Sequence, residues 1–361
     1  MSPTVIHTTS PRAGRRRPSL RWALVAVALA LVAAACGDDD TSGSGTGDDT
    51  TETPAAFPVT IEHEFGETTI DEAPERIVAV GLVEQDALLA LGIVPIGTTE
   101  WFGEQPGAIW PWAQDELAAL GGEAPTVVGD ATAVNFEKVA AQQPDLILAI
   151  YAGLTDADYE KLAQIAPTVA QPEGYVDYGT PWEESTRMVG QAVGKAEEAE
   201  ALVEETEALF AAAAEAHPEF AGKRALVATP YEGIYVYGPQ DPRGRFLEAL
   251  GFELPPELAE IAGEEFGGDL ADERVEVLDV DAIVWLDAPP DASAPLSEVY
   301  RGLRVHTEAR EVFLDSFGTA LGGATSFVSV LSLPFLLEGL VPRLALAVDG
   351  DPATEVPLAT E

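Results

Sequence analysis

Side chains suited to ligand binding follow several of the predicted strands. Aromatic rings come after the early strands and after the strand ending near Ile150, and rings with two arginines come after the strand ending near Ala228. These residues are Trp101, Phe102, Tyr151, Tyr231, Tyr235, Arg243 and Arg245. Parallel α/β sheets bind ligands outside the carboxyl ends of their strands. We therefore expect these side chains to form a cleft with aromatic walls and guanidinium groups.

Other aromatic residues fit either the cleft or the protein interior. Trp285 comes after Val284 and is predicted to contact the ligand, although it also continues an apolar strand and suits core packing. Phe327 precedes the last helix and is a further candidate for the cleft. Trp110, Trp112 and Tyr237 are equally compatible with holding a loop or a turn in place.

The sequence offers no recognised catalytic or metal-binding motif. Gly-x-Ser-x-Gly, His-Glu-x-x-His and Ser-x-x-Lys patterns are all absent. The single cysteine, Cys36, excludes a cysteine-based zinc or iron–sulfur site, and the four histidines lie far apart in the chain. Paired carboxylates are not evidence for a catalytic site, because they are common in a chain with 62 Asp and Glu residues. We therefore expect a binding protein that is not an enzyme and has no bound metal of its own.

The charge of the chain excludes another class of function. The 361 residues contain 19 Lys and Arg against 62 Asp and Glu, which gives a formal net charge of −43. Nucleic-acid binding requires a basic surface, so we expect no nucleic-acid partner.

The N-terminus has the features of an export signal. Residues 1–35 carry five arginines and no acidic residue, and Trp22–Ala35 is a continuous apolar stretch. A membrane-spanning helix needs about 20 apolar residues, so this stretch is better suited to a signal peptide. Three alanines before Cys36 resemble a bacterial lipobox, which predicts a lipid anchor on that cysteine. An ordinary signal peptide remains the alternative, and the sequence does not distinguish the twin-arginine route from the general secretory route.

The remaining chain divides into four segments after a tether. Residues 36–56 are rich in Gly, Asp, Thr and Ser and predict a flexible acidic linker. We expect an N-terminal lobe at 57–180, a helical connector at 181–221, a C-terminal lobe at 222–350 and a tail at 351–361.

A repeated pattern indicates that the two lobes share one design. Glu, a basic residue, Val, Asp and Ile recur at the same spacing in both halves, as Glu137, Lys138, Val139, Asp145 and Ile147 and as Glu273, Arg274, Val275, Asp281 and Ile283. Strands alternate with helices in both halves, which predicts parallel sheets covered by helices.

One long helix is predicted to join the lobes. The pattern Thr180-Pro181-Trp182-Glu183 predicts a capped helix start, and a second helix is predicted from Ala196 to Ala216. At 1.5 Å per residue this helix is about 31 Å long, roughly the diameter of a small domain. We expect such a connection to permit only small movements of the lobes.

Short motifs are spread over about residues 58–348, including Ala73-Pro74-Glu75-Arg76-Ile77-Val78, Pro144-Asp145-Leu146-Ile147, Tyr237-Gly238-Pro239 and Ser329-Val330-Leu331-Ser332-Leu333-Pro334. In the order and spacing of these motifs, the chain resembles the substrate-binding lipoproteins of ABC importers for ferric siderophores, a group that also binds cobalamin and haem. The resemblance implies two Rossmann-like lobes joined by one long helix, as in class III periplasmic binding proteins.

The resemblance also implies roles for three acids. Glu137 and Glu273 match the positions where this family docks onto its permease, although an acid near a helix start is also favoured by the helix dipole. Glu84 begins the first helix at a position that faces the ligand cleft in this family. It could instead only cap that helix.

The implied protein is an exported monomer, anchored through Cys36 to the outer face of the cytoplasmic membrane. It would deliver a ferric siderophore to an ABC importer permease dimer, and the iron would arrive already chelated, with no further cofactor. Cobalamin or haem in the same role, or an envelope lipoprotein without a transport function, remain alternatives.

Overall fold

A computed structural model describes residues 57–231, 233–288 and 298–359. The predicted signal peptide, Cys36 and the whole predicted linker lie outside these ranges. Within the described ranges, no helix combines the length and apolar character needed to cross a bilayer.

The N-terminal lobe is built on a parallel sheet of five strands in the order β5-β4-β3-β6-β7. A short antiparallel hairpin, β1 with β2, packs beside β7. The strands are β1 Val59–His63, β2 Gly66–Ile70, β3 Ile77–Ala79, β4 Gly97–Glu100, β5 Thr126–Asp130, β6 Leu146–Ala149 and β7 Thr168–Ala170. The helices are α1 Glu84–Ala90, α2 Gln114–Ala119, α3 Phe136–Ala141 and α4 Asp156–Ala163, with 3₁₀ turns at Pro106–Ala108 and Pro111–Ala113.

The C-terminal lobe has a mixed sheet, in the order β10-β9-β8-β11-β12. Its strands are β8 Ala225–Thr229, β9 Ile234–Tyr237, β10 Gly267–Leu270, β11 Ala282–Leu286 and β12 Glu311–Leu314. Strands β8, β11 and β12 are parallel, but β9 is antiparallel to both of its neighbours. The expectation of a wholly parallel sheet is therefore wrong for this lobe. Only residues 230–233 join β8 to β9, and so short a segment permits a hairpin but not a helical crossover.

Five helices of this lobe lie among the residues that the structure describes. They are α7 Pro242–Ala249, α8 Glu257–Ala262, α9 Arg304–Thr307, α10 Ala320–Ala324 and α11 Ser332–Ala347, with 3₁₀ turns at Pro218–Phe220, Asp272–Leu278 and Tyr300–Gly302.

Two helices connect the lobes, α5 Trp182–Ala192 and α6 Ala196–Ala216. The observed bounds of α6 confirm the predicted helix. Its first half buries Ala199 in the N-terminal core, whereas Phe210 packs in the C-terminal core. The predicted capped start of α5 is wrong, because Pro181 occupies the cap position without a side-chain hydrogen bond. Thr180 instead donates a long hydrogen bond to the Ile150 carbonyl.

The sequence repeat corresponds to a repeated structural contact. In the first lobe, the Asp145 carboxylate accepts hydrogen bonds of 2.8 Å from the backbone N–H groups of Glu75 and Arg76, just before β3. In the second lobe, Asp281 accepts one of 2.9 Å from the backbone N–H of Arg224, just before β8. In both lobes the aspartate therefore fastens the start of one central strand to its parallel neighbour.

Replacing either aspartate with alanine should destabilise its lobe. Each change removes a carboxylate that satisfies backbone N–H groups, and for these solvent-accessible bonds we expect a loss of about 1 kcal/mol of unfolding free energy. Urea unfolding of Asp145→Ala and Asp281→Ala measures the loss. Asp115→Ala, an exposed acid in α2, is the matched control, and equal effects of all three changes would contradict the proposed contact.

Candidate ligand-binding site

A cavity of about 520 Å³ lies between the two lobes. Residues that end or follow strands of both sheets line it, which agrees with the rule that α/β sheets bind ligands at their carboxyl ends. The lining consists of Leu82, Trp101, Ala131, Tyr151, Tyr178, Thr229, Tyr231, Tyr235, Tyr237, Asp241, Arg243, Phe266, Asp287 and Phe317. Eight of these fourteen residues are aromatic, so most of the wall consists of rings.

One wall consists of stacked aromatic layers. Trp101 is 39% exposed at the surface of the cavity, and its ring packs edge-on against Phe102 and Phe327. Behind them Trp110 and Trp112 stack with ring centroids 5.1 Å apart and nearly parallel planes. The deeper rings fix the position of Trp101, because packed rings leave few alternative rotamers.

A pair of tyrosines forms the adjoining wall. The rings of Tyr151 and Tyr178 meet edge to face at 5.4 Å, and the Tyr178 hydroxyl donates to the Ala152 carbonyl. Tyr178 has a φ of +58°, an uncommon conformation for a bulky residue. Gly153 makes room for it, since a Cβ there would lie 2.9 Å from the Tyr178 ring. The backbone strain indicates that the surrounding structure fixes this ring in place.

Four phenols of the cavity remain protonated at neutral pH. Burial raises the pKa of Tyr235 to about 12 and also raises the pKa of Tyr151, Tyr178 and Tyr237. A protonated phenol donates a hydrogen bond and presents a neutral ring. These side chains therefore suit a ligand that carries oxygen acceptors and apolar surface.

A buried ion pair lies at the edge of the cavity. Asp241 caps α7 by accepting a 2.8 Å hydrogen bond from the Arg243 backbone N–H, and its other oxygen accepts one of 2.7 Å from Arg243 Nη1. Burial lowers the pKa of Arg243, but the adjacent carboxylate outweighs this effect and keeps the pKa above its ordinary value. The guanidinium also lies 4.2 Å from the centre of the Tyr237 ring and donates to Ser326.

A second carboxylate, Asp287, faces the cavity from the carboxyl end of β11. Its Oδ1 accepts a 2.7 Å hydrogen bond from the Ser316 backbone N–H. Partial desolvation by the cavity walls raises its pKa, Asp315 nearby adds to this effect, and Arg243 opposes it. Asp287 has a φ of +59°, which aspartate tolerates better than most residues.

The sequence of both lobes matches one known protein family. The sequence profile of the family described as "Periplasmic binding protein" matches residues 77–307, which include most of both sheets. The chain belongs to the periplasmic binding protein family.

Three known proteins are similar to this periplasmic binding protein. It is 30% identical over 208 residues to the Fe(3+) dicitrate-binding periplasmic protein FecB of Escherichia coli, and the alignment spans 56% of this chain and 65% of that relative. It is 35% identical to a periplasmic solute binding protein from Mycobacterium smegmatis, with a TM-score of 0.69 over 80% of this chain and 98% of the other. Streptococcus pneumoniae PiaA in complex with ferrichrome has 26% identity and a TM-score of 0.73, over 81% and 99% of the two chains.

The structure of this binding protein brings half of the predicted ligand contacts together. Trp101, Tyr151, Tyr231, Tyr235 and Arg243 all line the cavity. Tyr237, which also suited a turn, lies beside them. Ligand contact by these residues stays a prediction, but their common location agrees with the strand-end argument.

Two buried residues do not reach the cavity, and the expectation is corrected for them. Glu84 is fully buried, and its carboxylate accepts hydrogen bonds from the backbone N–H groups of Tyr151 and Val83. Trp285 is also fully buried and donates to Tyr300 and Glu311, so it belongs to the core.

Three further residues lie next to the cavity without lining it. Phe102 and Phe327 form the layer behind Trp101, because other rings cover them. Arg245 points elsewhere and donates a 2.6 Å hydrogen bond to the Gly179 carbonyl. All three support the wall of the site.

Several lining residues were missed from the sequence. Asp287 and Phe317 follow β11 and β12, so a strict use of the strand-end rule would have found Asp287 and, with β12 recognised, Phe317. Tyr178 and Phe266 lie in loops with no strand directly before them, so no sequence signal points to either. Asp241 could have been read as the cap of α7, because it precedes Pro242.

A buried carboxylate beneath the aromatic wall joins elements of both halves of the chain. Asp86 of α1 is 2% exposed and accepts hydrogen bonds from Trp112 Nε1, at 2.8 Å, and from the Ser329 hydroxyl. Burial raises the pKa of Asp86 to about 6. The side chain therefore anchors the Trp110–Trp112 stack to the segment that leads into α11.

The raised pKa predicts a pH-dependent contribution to stability. The native state keeps the Asp86 proton up to about pH 6, whereas the unfolded chain loses it near 3.8, so the stabilisation is complete below about pH 4 and is lost as the pH rises through 6. The unfolding free energy of the wild type relative to Asp86→Asn should fall by roughly 2 kcal/mol between pH 4 and pH 7. Urea unfolding at several pH values measures this difference. A constant difference, or the same trend for Asp115→Asn, would contradict the assignment.

Proposed function

We propose that this chain captures a ferric siderophore in the cavity between its lobes and delivers it to an ABC importer permease. The observation that carries the proposal is the 520 Å³ cavity lined by aromatic rings and protonated phenols. A ferric siderophore is bulky and supplies its own iron ligands. The protein therefore needs to provide contact area and hydrogen-bond donors, which this cavity does.

The relatives support this substrate class. One of them is named for binding ferric dicitrate, and another was solved with ferrichrome. Both ligands are iron held by an organic chelator. A carrier role without catalysis also agrees with the family, which consists of binding proteins.

Docking to the permease is proposed for Glu137 and Glu273. Glu137 lies in the first turn of α3, Glu273 lies in the 3₁₀ segment Asp272–Leu278, and both side chains are exposed. The equivalent contacts of Asp145 and Asp281, which follow these segments in the chain, support corresponding places for the two acids in the lobes. Two acids so placed can each reach a basic pocket on one subunit of a permease dimer.

We further propose that the protein is exported and held at the outer face of the cytoplasmic membrane by a lipid on Cys36. The arginine-rich, then apolar, sequence before this cysteine supports export and lipidation. A monomer with one anchor and a 20-residue tether could reach a permease in the same membrane.

Binding can be tested by tryptophan fluorescence. A ferric complex in the cavity should quench Trp101 and the stacked rings behind it, so quenching should saturate at submicromolar ligand for at least one ferric siderophore and be absent with its iron-free form. Trp101→Phe should remove much more of the quenching than Trp182→Phe, since Trp182 lies outside the cavity lining.

The ligand panel decides between the candidate roles. It should contain ferric hydroxamate, catecholate and carboxylate siderophores together with haem and cobalamin. Saturation by haem or cobalamin alone would keep the carrier role but overturn the siderophore assignment. Saturation by none of them would favour an envelope lipoprotein without a transport function.

Uptake should depend on the two docking acids. The double change Glu137→Ala/Glu273→Ala should abolish uptake of the iron complex in cells that also express the permease, while ligand affinity stays unchanged, because neither acid lines the cavity. The matched control is Glu160→Ala/Glu338→Ala, which removes two exposed acids from other helices. Normal uptake by the first double variant would show that these acids do not dock.

A further inference from the structure

The charges in the cavity restrict the ligand further than the proposed function does. We propose that the site selects ferric complexes without net negative charge, such as uncharged or cationic trihydroxamates, and that Asp287 determines this specificity. This inference rests on the proposed function, because it concerns the same cavity. Three hydroxamates neutralise Fe³⁺, whereas citrate and tris-catecholate complexes are anions.

Three of the described residues that line the cavity are charged, namely Asp241, Arg243 and Asp287. The first two form the buried pair, in which Arg243 Nη1 and Asp241 Oδ2 are 2.7 Å apart. They therefore cancel each other, and the remaining charge of this set is that of Asp287.

Both Nη atoms of the one arginine in this set already donate hydrogen bonds to other side chains. Its Nη1 donates to Asp241 and its Nη2 donates to Ser326 Oγ at 3.2 Å, while the Tyr237 ring covers one face of the guanidinium. The side chain is 8% exposed. A ligand oxygen that took the place of Asp241 on Nη1 would leave a buried and unpaired carboxylate. Among the described residues Nε has no hydrogen-bond partner, but it is buried with the rest of the guanidinium.

Asp287 has no such counterion. Its carboxylate accepts a hydrogen bond from the Ser316 backbone N–H group. Arg243 pairs with Asp241 instead, and no lysine or arginine among the described residues lies within ion-pair distance of Asp287. The side chain is exposed at the cavity, so a bound ligand meets this charge directly.

The rest of the cavity favours the same class of ligand. The faces of the aromatic rings carry negative electrostatic potential, which attracts cations and tolerates neutral groups. The protonated phenols supply donors for the oxygens of an uncharged chelate. The net charge of −43 adds a long-range field that repels anions and attracts cations.

The test compares iron complexes that differ in charge. Affinities are measured by fluorescence titration for ferrichrome, which is uncharged, for ferrioxamine B, which carries one positive charge, and for ferric citrate and a ferric tris-catecholate, which are anionic. The purified wild type should bind the first two at least about tenfold more tightly than the anions, and the difference should shrink at high salt.

Asp287→Asn isolates the specificity residue. Asparagine keeps the oxygen that accepts from Ser316 and tolerates the positive φ, so the fold should be retained. We expect the affinity for ferrioxamine B to fall about fivefold, that for the anions to rise by a similar factor and that for ferrichrome to stay unchanged. Asp115→Asn removes the same charge far from the lining and should change none of the affinities.

The outcomes separate the two proposals. Anions that bind as tightly as ferrichrome to the wild type, or equal effects of Asp287→Asn on all complexes, would overturn charge selection while leaving ferric-siderophore binding intact. Failure of every ferric complex to bind would overturn the proposed function itself. If the variant does not fold, the wild-type affinities for the neutral, cationic and anionic complexes test charge selection by themselves.

Discussion

The buried ion pair between Asp241 and Arg243 is the interaction on which the character of the cavity depends. One carboxylate caps α7, neutralises the arginine and orients its guanidinium over Tyr237. A single aspartate thus connects the local start of a helix to the charge of the binding site. Breaking such a pair leaves an unpaired buried charge, which costs several kcal/mol, so the arrangement is coupled to the stability of the lobe.

Interactions between the lobes limit how far the cavity can open. Helix α6 packs its two ends in the two cores, and Asp86 bonds both to Trp112 and to Ser329. Phe102 of the first lobe also meets Phe317 of the second at 4.9 Å. We therefore expect small adjustments on binding, with the aromatic wall keeping its shape.

Much of the architecture follows from local patterns in the sequence. Helix α6 was predicted with its observed bounds, because twenty-one residues without Gly or Pro carry a regular apolar stripe. The repeat containing Asp145 and Asp281 predicted two lobes of one design, and both aspartates make the same contact. The antiparallel strand β9 was missed, since its direction is determined by the length of the connection from β8 and not by the strand's own composition.

The binding site was less predictable than the fold. Residues directly after recognised strands were found, as Trp101 and Tyr151 show. Side chains that follow a buried strand can turn either inward or toward the ligand, however, and Trp285 turned inward to bond Tyr300 and Glu311. The sequence did not predict that Tyr178 lines the site, because its position depends on a strained backbone and on the space left by Gly153.

The site is divided into an anchored half and an unanchored half. Layers of buried rings hold Trp101, whereas Tyr231 and Phe317 are 68% and 66% exposed and contribute little to either core. Substitutions at the exposed positions therefore cost little folding stability. Over evolutionary time, a lineage can change the ligand it recognises by varying these two loops while the supporting core stays constant. The same division gives protein engineers two positions at which to redirect ligand preference without rebuilding the fold.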